Sequence, residues 1–120
     1  MKVIFHESSH QKIAEVRCDD ILINSEQDAL DLMVNPELSR AHKIILDKKN
    51  FAPDFLELRT GLAGKILQKF VNYRVQLAIV GDFKNISSES MNALIVESNR
   101  GKNLFFLDDV EKARKVLSAS

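Results

Sequence analysis

The chain opens with two short apolar stretches, Val3-Ile4-Phe5 and Ile13-Ala14-Glu15-Val16, each set among polar neighbours and rich in residues that favour extended backbone. The polar run Glu7-Ser8-Ser9-His10-Gln11 between them reads as a turn, which predicts an antiparallel hairpin. A register slip of one residue would exchange the two faces of that hairpin. Next, Ile21-Leu22-Ile23 leads into Ser25, with Asp28 three positions on. A serine N-cap with an acid at the third helical position satisfies free amides and suits the helix dipole. The predicted helix turns Ala29, Leu30, Met33 and Val34 inward and ends at Pro36.

Beyond Pro36, strand and helix patterns alternate. Lys43-Ile44-Ile45-Leu46-Asp47 predicts a short buried strand. A long amphipathic segment follows, with Phe55, Leu58, Leu62, Ile66, Leu67 and Phe70 at helical spacing. Gly61 and Gly64 interrupt it, each costing roughly 1 kcal/mol relative to alanine inside a helix. Two accounts fit: the helix begins near Gly61, or it starts near Pro53 and its glycines allow close approach to the sheet. Val75-Gln76-Leu77-Ala78-Ile79-Val80 has the nearly continuous apolar character of a central parallel strand, and Gly81-Asp82 breaks it. Ser87 or Ser88 caps a helix with Met91, Leu94 and Ile95 inward, and Gly101 closes it. Asn103-Leu104-Phe105-Phe106-Leu107 is the last strand. Asp108, with Glu111 three residues on, caps a final helix that packs through Val110, Ala113, Val116 and Leu117.

The order β-β-α-β-α-β-α-β-α predicts an α/β fold with a mixed five-stranded sheet, formed by one domain over residues 1–120. Right-handed crossovers make the later strands parallel and put helices over the sheet, and the hairpin adds an antiparallel edge. Lys2, Lys12, Glu15 and Arg17 are placed to guard that edge against pairing with other chains. Ile45, Leu67, Phe70, Leu77, Ile79, Ile95 and Phe105 are the predicted core.

Composition narrows the function classes. Hydrophobic residues at 45% and charged residues at 28% are ordinary for a globular domain. Seventeen basic and seventeen acidic residues leave no positive excess to attract nucleic acid or an anionic membrane. No apolar run approaches the roughly 20 residues of a membrane helix. The start Met1-Lys2-Val3-Ile4-Phe5-His6-Glu7 meets charge too soon for a signal peptide. A single cysteine, Cys18, cannot form an intramolecular disulfide, so the cytoplasm is the expected compartment.

The order of elements resembles the STAS fold of anti-sigma-factor antagonists. Thr60-Gly61-Leu62-Ala63-Gly64-Lys65-Ile66-Leu67-Gln68-Lys69-Phe70, Asn72-Tyr73-Arg74-Val75 and Leu77-Ala78-Ile79-Val80-Gly81-Asp82-Phe83 resemble bacterial proteins grouped as domain of unknown function 4180. Ala29-Leu30-Asp31-Leu32-Met33 and Glu97-Ser98-Asn99-Arg100-Gly101 fit the same pattern. That resemblance implies a bacterial source and brings no established activity. The STAS resemblance implies a phosphorylatable hydroxyl at the start of the helix after the third strand. Arg59-Thr60-Gly61-Leu62 is the nearest match, although the gap back to Asp47 is a few residues too long. A phosphoryl group on Thr60 would meet a helix N-terminus, whereas the plainer reading is a helical threonine bonded to its own backbone.

Asp47, Asp82, Asp108 and Asp109 each fall at or just past a strand's carboxyl end, where open α/β sheets place ligand crevices. Converged, they would offer oxygen ligands to Mg²⁺; the plainer reading makes them caps and turn residues. A phospho-receiver site built on Asp19-Asp20 and Asp47 lacks the lysine after the last strand and the Ser or Thr after Val80. His6, His10, His42 and Cys18 show no zinc-ligand spacing, and the histidines flanking the hairpin turn read as solvated. Gly61-x-x-Gly64-Lys65 is too short for a phosphate loop, and no nucleophile elbow or dinucleotide fingerprint occurs.

These observations predict a non-catalytic binding or regulatory module with no cofactor and no metal, whose partner is a protein. Its expected functional surface is the loops 47–60, 81–88 and 99–102, with Asp47, Arg59, Thr60, Asp82, Ser87, Ser88, Asn99 and Arg100 as binding residues. The alternative is a small-molecule- or divalent-metal-dependent enzyme that uses the acidic carboxyl edge.

Overall fold

The structure, a computed structural model, describes residues 1–8, 11–56 and 61–119. It contains a five-stranded sheet with the strands in chain order: β1 (Lys2–Ser8), β2 (Gln11–Arg17), β3 (Lys43–Asp47), β4 (Gln76–Val80) and β5 (Leu104–Leu107). β1 and β2 pair antiparallel, from Lys2 opposite Arg17 to Ser8 opposite Gln11. The hairpin strands therefore extend through Glu7 and Gln11, which the sequence pattern had assigned to the turn. β2 to β5 run parallel, with Ala14 beside Ile44, Ile44 beside Leu77, and Leu77 beside Leu104. The mixed α/β sheet expected from the pattern is thus present.

Chain-order parallel strands joined by right-handed crossovers must carry all their connecting helices on one face. Three helices occupy it: α1 (Glu26–Met33), α2 (Leu62–Asn72) and α3 (Glu89–Arg100). Ala14, Val16, Ile44, Leu46, Leu77, Ile79 and Phe106 point into this larger core, beside Leu32, Ile66, Phe70 and Met91 from the helices. The last helix, α4 (Val110–Ala119), turns back across the opposite face and buries Ala113 and Leu117 against Ile13, Ile45, Ala78 and Phe105. Alternation along each strand divides the residues between the two cores. Six of the predicted core residues are buried, while Ile95 is only half-buried.

Local chemistry sets the helix ends. The Ser25 hydroxyl accepts from the Asp28 amide, and the Asp28 carboxylate in turn accepts from the Asn24 amide. In α1 the inward residues are Ala29, Leu32 and Met33; Val34 lies past the last turn and is 70% exposed, so the expected stripe is displaced there. Gly61, with φ 71°, is the N-cap of α2, in a backbone conformation that glycine adopts without strain. The first account of the glycines is therefore correct. Phe55 belongs to a separate 3₁₀ turn, Pro53–Leu56, and Leu58 lies outside the described residues. Ser88, not Ser87, caps α3 by accepting from the Met91 amide. At α4 the cap is Asp109, which accepts from the Lys112 amide, while Asp108 forms an ion pair with Lys112. Gly101 ends α3 at φ −89°, an ordinary conformation, so the left-handed cap expected there is absent.

Two polar groups anchor the layers. The buried Lys43 ammonium donates to Gln11 Oε1 at 2.7 Å and to the carbonyl of Leu117, one of the carbonyls left free at the end of α4. β5 is an edge strand, and the Asn99 side chain covers it. Asn99 Oδ1 accepts from the Phe106 amide at 2.7 Å and its Nδ2 donates to the Phe106 carbonyl at 3.0 Å, so the side chain imitates a neighbouring strand.

Candidate functional site

The carboxyl ends of the parallel strands gather the loops that begin at Cys18, Lys48 and Gly81. Asn50 organises the first two. It is fully buried; its Nδ2 donates to the carbonyls of Cys18 and Asp20 at 2.8 and 3.0 Å, and its Oδ1 accepts from the Asp47 amide at 2.9 Å. Its own carbonyl accepts from the amides of Leu22 and Ile23. The chain after β2 is thereby fixed to the chain after β3. Gly81 holds the third loop close: a Cβ there would stand 2.6 Å from Lys48 Cβ. Lys48 reaches across this contact, its ammonium donating to the Asp82 carbonyl at 2.7 Å and lying 5.6 Å from the centre of the Phe83 ring.

The carboxylates along this edge are each tied to a neighbour. Asp47 accepts from the Lys49 amide, Asp82 from the Lys84 amide, and Asp109 from the Lys112 amide. Asp19 pairs with Lys49 at 2.9 Å and Asp108 with Lys112 at 2.8 Å. The partnered lysines hold the carboxyls of Asp19 and Asp108 below their ordinary range, chiefly through the hydrogen bonds. Among the described residues, no group of three or more His, Cys, Asp or Glu could hold a metal ion.

On the face that α4 only partly covers, a cleft of about 470 Å³ opens between the hairpin and the start of α4. Ile45, Leu46 and Val80 line its apolar part, and Lys2, Asp47 and Lys49 are among its charged residues. Glu15 also lines it, almost wholly buried, where the strand pattern had suggested an edge guard. β2 is an interior strand between β1 and β3, so its side chains lie on faces of the sheet. His6 Nε2 donates to Glu15 Oε1 and Arg17 Nε to Glu15 Oε2, both at 2.7 Å. Burial pushes the Glu15 carboxyl up, but the hydrogen bonds and charges of Arg17 and His6 outweigh it and hold the group below its usual value. His6, expected to be solvated, is instead the half-buried partner of this carboxylate.

The predicted binding residues do not form one cluster. Asp47 and Asp82 lie together at the carboxyl ends, with Ser87 exposed and Ser88 capping α3 on the same side of the fold. Asn99 lies along β5, and Arg100 is exposed where α3 ends near the amino ends of the strands. There the Lys102 carbonyl accepts from Gln76 Nε2, and the Asn103 carbonyl from the Leu77 amide. Arg59 and Thr60 lie outside the described residues, as does His10.

The family model for the domain of unknown function 4180 matches residues 8–117. The chain belongs to that family. The match takes in β2 to β5 and α1 to α3, together with most of α4, and therefore both cores of this DUF4180 domain. No curated protein and no solved structure gives a significant match. Sequence reasoning missed Glu15 and Asn50. An acid and an arginine two residues apart on a strand share a face, and that spacing was the available signal for Glu15 and Arg17. Asn50 stands three residues after Asp47, a capping-box spacing that was its available local signal, while its bonds to Cys18 and Asp20 reach 32 and 30 positions away.

Proposed function

We propose that this DUF4180 domain is a non-catalytic binding or regulatory module, bacterial and cytoplasmic, on a STAS-like scaffold, and that it meets a protein partner with the carboxyl edge of its sheet. The observation that carries this reading is the engagement of the edge carboxylates in caps and ion pairs. Such groups shape and stiffen loops; a metal-dependent or acid–base enzyme needs them turned into a common cleft. The Asn50 cross-link and the Gly81–Lys48 contact support it further, because a rigid scaffold presenting polar loops suits recognition. The STAS-like element rests on the order of elements, a hairpin followed by three helix–strand steps and a last helix. Among the described residues no helix is long and apolar enough to cross a membrane, which is compatible with a cytoplasmic place.

Two measurements test the reading. Affinity capture from a bacterial lysate should yield a protein that binds the purified domain at defined stoichiometry, with affinity reduced at least about tenfold by Asp82→Arg, a reversal of charge in the proposed surface. Thermal unfolding should be unmoved by Mg²⁺, Mn²⁺ or Zn²⁺. A saturable divalent-ion stabilisation, of about 2.7 kcal/mol at a hundredfold excess over the dissociation constant, would overturn the reading if Asp47→Asn or Asp82→Asn abolished it.

A further inference from the structure

We propose that the crevice between the carboxyl ends of β4 and β5 binds a small, mainly apolar organic acid, with Lys84 taking its carboxylate. This deepens the binding-module reading and rests on it. Topology places the crevice. The connection leaving β4 rises to α3 on one face, while the connection leaving β5 turns to α4 on the other. Where neighbouring parallel strands send their connections to opposite faces, a gap opens at their carboxyl ends, and open α/β sheets take ligands in such gaps. The connections after β2 and β3 go to the same face as that after β4, so the divergence falls between β4 and β5.

The gap is a cavity of about 550 Å³, inside the roughly 300–1,000 Å³ usual for small-molecule pockets. Its walls come from both cores: Phe106 belongs to the layer under α3 and Leu107 to the layer under α4. Phe83 stands edge-on to Phe106, with ring centres 5.3 Å apart and planes at 86°. Ile95, half-buried on α3, also lines the cavity. These side chains offer a flat or branched hydrocarbon an apolar bed.

Charge selects the head group. Asp108 is neutralised by Lys112, and the Asp82 carboxylate accepts from the Lys84 amide. Lys84 lines the same cavity and, among the described residues, forms no ion pair. It is the rim lysine that no ion pair holds, although it also acts on the Asp108 carboxylate from a distance, and Asp82 on the same rim keeps its charge. A carboxylate there would make a charge-assisted hydrogen bond while its hydrocarbon body lay on Phe83 and Phe106.

The test uses the full chain labelled with ¹⁵N, titrated with phenylacetate and separately with neutral phenylacetamide, in wild type, Lys84→Gln and Phe83→Ala. Lys84 is exposed, so Lys84→Gln should fold as wild type. Phenylacetate should give saturable amide shifts centred on residues 81–84 and 106–112. Its affinity should fall at least about tenfold in Lys84→Gln, the loss expected for one charged hydrogen bond, and phenylacetamide should be weaker by a similar factor. Absence of saturable shifts, shifts centred elsewhere, or equal binding of acid and amide would overturn the proposal. Partner binding measured on the wild-type protein separates the two readings. A domain that holds its partner but not phenylacetate loses the crevice and keeps the module, whereas one that holds phenylacetate without any partner does the reverse.

Discussion

Replacing Asn50 by alanine tests whether one buried amide holds the carboxyl edge together. Its side chain makes three hydrogen bonds, all to backbone groups: two donated to the Cys18 and Asp20 carbonyls in the loop after β2 and one accepted from the Asp47 amide at the end of β3. A hydrogen bond contributes about 0.5–1.5 kcal/mol net, and more when its loss leaves a buried group unpaired. Water can reach the opened loop and satisfy part of what the amide leaves, which puts the loss at about 2–3 kcal/mol. Domains of this size have roughly 5–15 kcal/mol of stability, so the effect is a large fraction of the whole. Urea unfolding followed by circular dichroism should show the midpoint fall with the slope unchanged, and the melting temperature should drop by on the order of 10 °C. Asn50→Asp is the sharper variant. It keeps the acceptor for Asp47 and replaces the donor with a second oxygen facing two carbonyls, so it should lose at least as much as Asn50→Ala. An Asn50→Ala protein within about 0.5 kcal/mol of wild type, the scatter of surface substitutions, would refute the argument that this amide joins the loops.

Four further outcomes follow from the packing and the charges. Leu77, fully buried on a central strand, should cost about 2–5 kcal/mol when cut to alanine, read by the same urea titration. Gly81→Ala places a methyl 2.6 Å from Lys48 Cβ, close to the backbone where little can yield; it should cost about 1–3 kcal/mol, with part recovered in the double variant Lys48→Gly. Because the Glu15 carboxyl is held below its ordinary value of 4.5, it contributes stability that is present above that pH and lost as pH falls through the depressed value. Stability followed from pH 7 down to pH 3 should therefore decline less steeply in Glu15→Gln than in wild type, and equal slopes would count against the His6–Glu15–Arg17 cluster. Asn99→Ala uncovers the Phe106 amide and carbonyl at a sheet edge; it should cost about 1–2 kcal/mol and promote concentration-dependent self-association by light scattering, while leaving partner binding intact.

The elements were legible where burial is periodic. β4 reads as a buried parallel strand because both of its faces meet helices, and the α/β order follows from strands alternating with amphipathic segments. Caps were legible to within a residue. Ser25 with Asp28 was found, while the cap of α4 fell on Asp109, since two adjacent aspartates satisfy the same local rule and only the backbone decides between them. The extent of α2 is not legible in the sequence because Gly61 serves equally as a costly helix interior or as an N-cap, and its φ of 71° is a property of the folded chain alone.

The polar residues with the strongest structural roles were the least legible, and the reason is that strand pairing decides what each must satisfy. Glu15 looked like an edge guard because hairpin strands usually sit at the edge, but β3 pairs with β2 and makes it interior. That one pairing turns a solvated acid into a buried carboxylate that needs His6 and Arg17 on the same face. Asn99, expected in the binding surface, has its amide on the open edge of β5, a role that its place near a loop did not suggest. Both roles have one physical origin. A polar side chain's role is set by which backbone or charge it must satisfy, and that depends on which strands pair and which edge stays open, even where the partners themselves are near in sequence. The acidic edge shows the same effect from the other side. Asp47 and Asp82 do come together at the carboxyl ends, as the strand positions implied, yet each had a nearer amide to bind. Convergence of strands brings such groups to one edge, and the turn each carboxylate closes then decides whether it remains available for chemistry.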